Sequence, residues 1–187
     1  PDAVLAARDS AGRVPLATVN EIASDPAVQL IAPVIETRVR LAGAALPLRL
    51  IGVDVFSAAG LMPKLLPQTD DGAALAGLLD GGLYASPAAL SQTGLTVGAT
   101  LTLYRGGQQW TTRIVDGLPA AASGEALLVA DIAWVQEHFG PADAVSEARI
   151  RLTADSNPAE WRRPVESHLP AGLLLRAPGG HTARGTH

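Results

Sequence analysis

Apolar and polar residues alternate along several stretches of this chain, and each such stretch predicts a strand with one buried face. Residues 28–41 and 47–55 show this pattern on either side of a turn at 42–46, so together they predict a long hairpin. Residues 144–152 alternate in the same way, and a final short strand is expected at Leu173–Leu175. The run ALLVA at 126–130 is continuously apolar and predicts a fully buried strand.

Helical spacing and capping signals predict four helices outside these strands. Asp25-Pro26 ends the first, because the residue before proline is pushed out of the helical region. Asp131 caps the third and Gly140-Pro141 ends it, while Ser156 or Asn157 caps the fourth. The predicted helices are 14–24, 73–79, 132–139 and 158–168.

The stretch Leu83–Leu118 predicts a compact β-rich module with one helical lid. A short apolar strand leads into a helix of small residues that Gly94 ends, and Gly98 turns the chain again. Two alternating strands then meet at Gly106-Gly107, which favours a hairpin. The preceding segment, 56–72, is rich in Pro, Gly and Asp and is interpreted as an exposed loop or connecting segment.

The order of elements predicts an α+β fold in which helices cover one face of a sheet. Residues 1–56 and 120–178 are expected to form an α/β part, and 57–119 an inserted, mostly β part. Residues 179–187 are expected to be a disordered tail or a remnant of cloning, because they are polar and rich in Gly.

Composition narrows the possible functions. The chain of 187 residues is 48% apolar but only 4% aromatic, which predicts a core of small aliphatic side chains. A net charge of −4 without a basic run argues against nucleic-acid binding, and the lack of cysteine excludes disulfides and thiolate metal sites. No apolar run approaches the roughly 18 residues that span a bilayer. Because the chain begins at Pro1 and not at Met, we expect an upstream segment, such as a membrane anchor, to be missing.

No motif for catalysis or cofactor binding stands out. The chain has no P-loop, no dinucleotide fingerprint and no G-x-S-x-G elbow. Ser57 and Lys64 lie seven residues apart in a predicted loop, and no sequence pattern supports a catalytic Ser–Lys dyad there. Asp54 is interpreted as a strand-end carboxylate that is hydrogen-bonded to nearby backbone N–H groups. His138 and His168 stand at helix ends, where the helix dipole favours a cation. We therefore expect no catalytic, cofactor or metal site.

Several other residues remain open candidates. The carboxylates Glu36, Asp54, Asp116 and Glu125 could form a pair, but the sequence does not show that any two converge. The three tryptophans are interpreted as packing anchors, and one exposed tryptophan could instead be a hot spot for a partner. They are Trp110, Trp134 and Trp161.

Three motifs in order along the chain resemble the large extracytoplasmic domain of FtsX/MacB-type ABC transporter permeases. The first is the strand end GVD, with Gly52 and Asp54; the last is the strand and helix VADIAWVQEHFG, with Asp131, Gln136 and Gly140. Between them, the segment from strand to hairpin matches the family pattern at Ser86, Ala89, Gly94, Leu95, Gly98, Leu101, Leu103, Gly117 and Leu118. The chain departs from the pattern at Pro87 and Ala99, where the family often has Glu and Asp.

The resemblance implies a non-catalytic periplasmic domain inserted between the first two membrane helices of a permease. It implies a porter-like α/β part with a mostly β insert, a cytoplasmic ABC ATPase as partner, and a periplasmic protein or lipoprotein as a further partner. Residues near Pro1 and Pro178 would then lie close together. The hairpin tip, formed by Arg105, Gly106, Gly107 and Gln108, is a candidate contact point. The alternatives are a free-standing periplasmic binding or adaptor domain without an ATPase, and a hydrolase with a dispersed site.

Overall fold

The computed structural model describes residues 1–44, 46–67, 72–119 and 124–178. Two compact units share the chain. Unit 1 combines Pro1–Pro33 with the described residues from Ala144 onward, and unit 2 is Val34–Asp143. The strand and helix content confirms the predicted α+β class.

The described elements follow one another without long irregular segments. In chain order they are β1 (Ala3–Ala7), β2 (Val14–Pro15), α1 (Leu16–Ala23), β3 (Val28–Leu41), β4 (Leu48–Val53), α2 (Val55–Leu61), a 3-10 turn (Pro63–Leu65), α3 (Gly72–Leu79), β5 (Leu83–Ala85), α4 (Pro87–Thr93), β6 (Thr100–Arg105), β7 (Gln108–Gly117), β8 (Leu127–Asp131), α5 (Ile132–Phe139), β9 (Ala144–Val145), β10 (Glu147–Leu152), α6 (Pro158–Ser167) and β11 (Leu173–Arg176).

Unit 1 contains an open sheet in the order β11-β1-β10-β3, to which β3 contributes its first residues. β1 pairs antiparallel with both neighbours, so that Val4 lies opposite Arg149 on one side and Arg176 on the other. The side chains of Leu5 in β1 and Ile150 in β10 are fully buried. Because β1 and β11 are adjacent, the first residues of the chain and those after β11 lie side by side.

Unit 2 is a closed ring of six strands. The order is β3-β4-β8-β5-β7-β6, and β6 pairs back to β3 through Arg40 with Tyr104 and Leu41 with Leu103. These two residue pairs close the ring between β6 and β3. Large side chains that are fully buried in the ring include Ile35, Leu48, Leu50, Leu83, Leu103, Ile114 and Leu128.

Most of the predicted elements are confirmed. β3 and β4 form the predicted antiparallel hairpin, and β6 and β7 form the second one with Gly106-Gly107 at its turn. The four predicted helices appear as α1, α3, α5 and α6, and the short strand β11 is present.

The prediction of an exposed loop over 56–72 is wrong. The segment contains α2 and a 3-10 turn, and Ala58, Leu61 and Met62 are buried in it. A missed cap explains the error: the Asp54 side chain accepts the Phe56 N–H and starts α2. Residues 68–71 lie outside the described ranges.

The compact units do not follow the predicted division at residues 57 and 119. The predicted insert lies inside unit 2, but so do β4 and β8 on either side of it, since those two strands pair with each other. The division at 57 and 119 stays a prediction. The predicted tail, 179–187, lies outside the described residues, as do residues 120–123.

Candidate functional site

Two aspartates lie at the ends of neighbouring parallel strands in unit 2. Val53 pairs with Asp131 in the last step of the β4–β8 ladder, and Asp54 follows directly. The Asp54 carboxylate accepts the Phe56 N–H at 3.3 Å, and the Asp131 carboxylate accepts the Ala133 N–H at 3.2 Å. Each aspartate therefore caps the helix that follows its strand. The cap at Asp131 was predicted from the sequence, whereas for Asp54 the sequence predicted bonds to backbone N–H groups but no helix.

The surroundings of Asp131 disfavour its negative charge. Burial is the main cause that raises the pKa of Asp131, and the nearby charge of Asp54 raises it further. The hydrogen bond from the Ala133 N–H acts in the opposite direction. Asp131 is thus a helix cap whose ionisation carries an electrostatic cost.

Gly52 lets helix α5 lie directly on strand β4. A Cβ at this position would lie 3.0 Å from Val135 Cγ2 and 3.3 Å from Ile132 Cα. α5 ends at Gly140, whose φ of 60° is in the left-handed region. The structure therefore brings Gly52, Asp54 and Asp131 together around the start of α5, with Gly140 at its far end.

Ser86 is a buried junction between α4 and β8. Its hydroxyl accepts the Ala89 N–H at 3.1 Å and the Leu127 N–H at 3.0 Å, and it donates to the Glu125 carbonyl at 2.7 Å. The side chain is completely buried and its hydrogen-bonding capacity is used in full. Ser86 thus holds structure and is not free to act as a nucleophile.

Gly94, Leu95 and Gly98 lie in the connection from α4 to β6. Gly94 ends α4 in the left-handed conformation, with its N–H donating to the Leu90 carbonyl at 2.9 Å. Gly98 has a φ of 95° and donates to the Ile114 carbonyl at 2.7 Å. Gly94 and Gly98 therefore direct the chain from α4 to β6, and Gly98 bonds to β7 on the way.

The predicted hairpin tip is only partly exposed. Gly106, Gly107 and Gln108 are exposed, but the Arg105 guanidinium donates to the Phe139 carbonyl at the end of α5, at 3.4 Å. A cation at the C-terminus of a helix interacts favourably with its dipole. A contact with a partner at this tip stays a prediction, and the three exposed residues are the part of the tip available for it.

An aromatic cluster that sequence reasoning did not assemble joins β7 to α5. Trp110 stacks on His138 at 4.8 Å between ring centroids, and the Trp110 and Trp134 rings are parallel at 6.4 Å. Trp134 also donates through Nε1 to the Leu79 carbonyl at 2.9 Å. Trp110 is only 4% exposed, so the cluster is a packing anchor. The i, i+4 spacing of Trp134 and His138 was the only signal of it in the sequence.

The candidate carboxylate pairs and the Ser–Lys dyad form no reactive arrangement. The Arg49 guanidinium donates from Nε to the Glu36 carboxylate at 2.7 Å and from Nη1 to the Glu125 carboxylate. These two bonds raise the pKa of Arg49. Ser57 is buried against the Asp54 carboxylate at 3.1 Å, whereas Lys64 is exposed. Within the described ranges, no three His, Cys, Asp or Glu side chains gather closely enough to hold a metal ion.

Every helix in the described part of the chain is too short or too polar to cross a membrane. No family model matches the sequence, and no curated protein matches it either.

Solved structures show a clear likeness of fold. The periplasmic region of MacB from Actinobacillus actinomycetemcomitans aligns with a TM-score of 0.65, covering 94% of this chain and 87% of that one, at 9% identity. The extracellular domain of the noncanonic ABC-type transporter YknZ from Gram-positive bacteria aligns with a TM-score of 0.65, covering 94% of this chain and all (100%) of that one, at 14% identity. The chain has the α+β fold of these domains, which confirms at the level of fold the resemblance predicted from the motifs.

Proposed function

We propose that this chain is a non-catalytic periplasmic domain of an ABC transporter permease. In this role it relays ATP-driven movement of membrane helices to a substrate or to a partner protein. The observation that carries the proposal is the shared fold over 94% of the chain with extracytoplasmic domains of MacB and YknZ. The proposed partners are a cytoplasmic ABC ATPase and a periplasmic protein or lipoprotein.

The arrangement of unit 1 supports a domain inserted between two membrane helices. Val4 in β1 pairs with Arg176 in β11, so the chain enters and leaves the unit on adjacent strands. A pull or rotation on both flanking segments would therefore act on one sheet. This is the geometry expected of a relay, because hydrogen-bonded neighbouring strands move together.

The engagement of the polar side chains supports a role without catalysis. Asp54 and Asp131 cap helices, and the Ser86 hydroxyl makes three hydrogen bonds in a buried site. A nucleophile or a general base needs a group that is free to reach a substrate. In unit 2, Asp54, Asp131 and Ser86 are instead engaged in hydrogen bonds that stabilise the fold.

The lack of cysteine allows a direct test of the location and the partner. In the full-length gene product, with any cysteine outside these 187 residues replaced by serine, Gln108→Cys places one thiol on the exposed hairpin tip. A maleimide that cannot cross the inner membrane should label this variant in intact spheroplasts, and an ABC ATPase should co-purify with it. In the purified transporter, a non-hydrolysable ATP analogue should change the labelling rate, because the domain follows the membrane helices.

A buried position provides the matched control. Ala130→Cys lies on a fully buried strand position and should be labelled only after denaturation. Labelling of Gln108→Cys only after cell lysis would overturn the periplasmic location. Labelling in spheroplasts without any associated ATPase would overturn the transporter role and favour a free-standing adaptor domain.

A further inference from the structure

A groove of about 600 Å³ lies between α1 and α6 in unit 1. Its apolar floor is formed by Ile22, which is buried, and by Val165 and Leu169, which are half-buried. On the α1 side the lining residues are Thr18, Glu21, Ile22 and Asp25, which are spaced as on one face of a helix. The groove therefore runs along about two helical turns, or about 10 Å.

The rim of this groove offers hydrogen-bond acceptors. Glu21 is exposed and forms no salt bridge with any residue that the structure describes. The Asp25 carboxylate accepts the Trp161 indole N–H at 3.0 Å and the Ala27 N–H at 2.9 Å, which uses two of its roughly four acceptor positions. Two carboxylates thus flank an apolar floor.

His168 adds a further acceptor to the rim. Its Nδ1 lies 2.8 Å from the Pro164 carbonyl, and a carbonyl can only accept, so Nδ1 carries the proton in the neutral ring. The other ring nitrogen, Nε2, is then an acceptor.

The cations of α6 do not line the groove. Arg162 and Arg163 are not among the residues that line the groove. Arg8 pairs with Glu166 at 3.6 Å, a carboxylate that also lies outside the lining. An occupant that brings hydrogen-bond donors and positive charge would therefore complement this rim.

We propose that the α1–α6 groove is a docking site for an amphipathic helix of a partner protein with Lys or Arg along one edge. The apolar face of such a helix covers Ile22, Val165 and Leu169, and its cationic edge lies against Glu21 and Asp25. A helix fits because a groove between two helices accepts the side-chain ridge of a third. An anionic membrane surface does not fit, since the rim carboxylates repel it. This proposal does not depend on the transporter role.

A defined peptide tests this surface on the 187-residue chain. The probe is a synthetic helix of about 18 residues, or five turns, with Leu on one face and Lys on both flanks, and its matched partner has Glu in place of every Lys. Titration of the ¹⁵N-labelled protein should shift amide signals of α1 and α6 with the Lys peptide and leave them unchanged with the Glu peptide. Leu169→Ala should weaken binding about fivefold, because it removes apolar area from the floor.

Charge reversal separates the groove from general acidity of the protein. Glu21→Lys should weaken the Lys peptide about fivefold, since it replaces an attractive rim charge with a repulsive one. Glu137→Lys, on the exposed side of α5 in unit 2, makes the same change in net charge and should leave the affinity unaltered. Equal effects of the two reversals, shifts spread over other surfaces, or equal binding of the Glu peptide would overturn the proposal. Anionic vesicles that shift the same amides would overturn it in favour of a lipid surface.

Discussion

The two units of this chain use their polar groups in opposite ways. In unit 2 the sheet closes on itself, and buried polar groups such as the Ser86 hydroxyl are bonded within the unit. In unit 1 the sheet is open at β11, and polar groups such as the Glu21 carboxylate lie on an accessible groove. The closed unit is built for stability, while the open unit keeps acceptors and apolar surface available for other molecules.

The difference has a physical origin in closure. A ring of strands satisfies its backbone groups internally and packs one central core, so changes inside it cannot be relieved by water. An open sheet with helices beside it has surfaces where water can replace a lost bond. Substitutions in unit 2 should therefore cost more stability than comparable ones in unit 1.

The largest effect is expected from Gly82→Ala in unit 2. The new Cβ would lie 2.4 Å from Val115 Cγ1 and 2.8 Å from the Gly77 carbonyl oxygen, and the second of these is a backbone atom of α3. Overpacking of this kind should lower the free energy of unfolding by about 3 kcal/mol, measured by urea denaturation. Gly107→Ala is the matched control, since nothing lies within 4 Å of its Cβ position. Equal stability of the two variants would refute the tight packing of α3.

Ser86→Ala should have the next largest effect. The change leaves the Ala89 and Leu127 N–H groups and the Glu125 carbonyl without their side-chain partner in a fully buried site. We expect a loss of about 2 kcal/mol in the free energy of unfolding. Ser91→Ala on the exposed side of α4 should change it by less than about 0.5 kcal/mol.

Trp161→Phe probes a comparable bond in unit 1. It removes the indole donor to Asp25 at 3.0 Å, and a double-mutant cycle with Asp25→Ala should give a coupling energy of about 1 kcal/mol. Trp161 is also the only tryptophan of unit 1, because Trp110 and Trp134 belong to unit 2. Fluorescence of the variant therefore follows unit 2 alone. A coupling energy larger than the loss of about 2 kcal/mol in the free energy of unfolding expected for Ser86→Ala would reverse the expected order of the two units.

Asp131→Asn should stabilise the protein slightly and only away from acid pH. The pKa of Asp131 is raised above its ordinary value of 3.8, so the folded state binds the proton more tightly than the unfolded state. Stability from this group is present below pH 3.8 and is lost as the pH rises through the folded pKa. Asparagine keeps the helix cap without the charge, so we expect a gain of a few tenths of a kcal/mol at pH 7.

The pH dependence is the decisive part of that measurement. Denaturation curves of Asp131→Asn and the parent chain should converge near pH 3, where the aspartate is protonated in both states. A gain that is equally large at pH 3 would mean that the charge is not its cause.

The smallest effect on stability is expected at the hairpin tip. Replacing Gly106, Gly107 and Gln108 by a shorter turn while keeping Arg105 should leave the free energy of unfolding within about 0.5 kcal/mol of the parent, since the three residues are exposed. If the tip contacts a partner, transport by the full-length assembly should fall. Unchanged transport would remove the tip as a contact, and a large loss of stability would show that it belongs to the rigid ring.

Local sequence signals determined the elements whose partners lie nearby in the chain. Alternation and turn glycines predicted the β3–β4 and β6–β7 hairpins, and Asp131 and Gly140 marked the two ends of α5. These signals work because a hairpin or a capped helix forms its contacts within a few residues. The ordered family motifs also identified the fold.

Only the tertiary structure decided the elements whose partners are distant. β1, with the sequence AVLAA, carries no strand pattern and becomes a strand because β10 and β11 flank it from the other end of the chain. The return of β6 to β3, the stacking of Trp110 on His138 and the groove beside Glu21 likewise join residues that the sequence does not relate. Periodicity shows which face of an element is apolar, but the burial of that face is a property of the neighbour it finds.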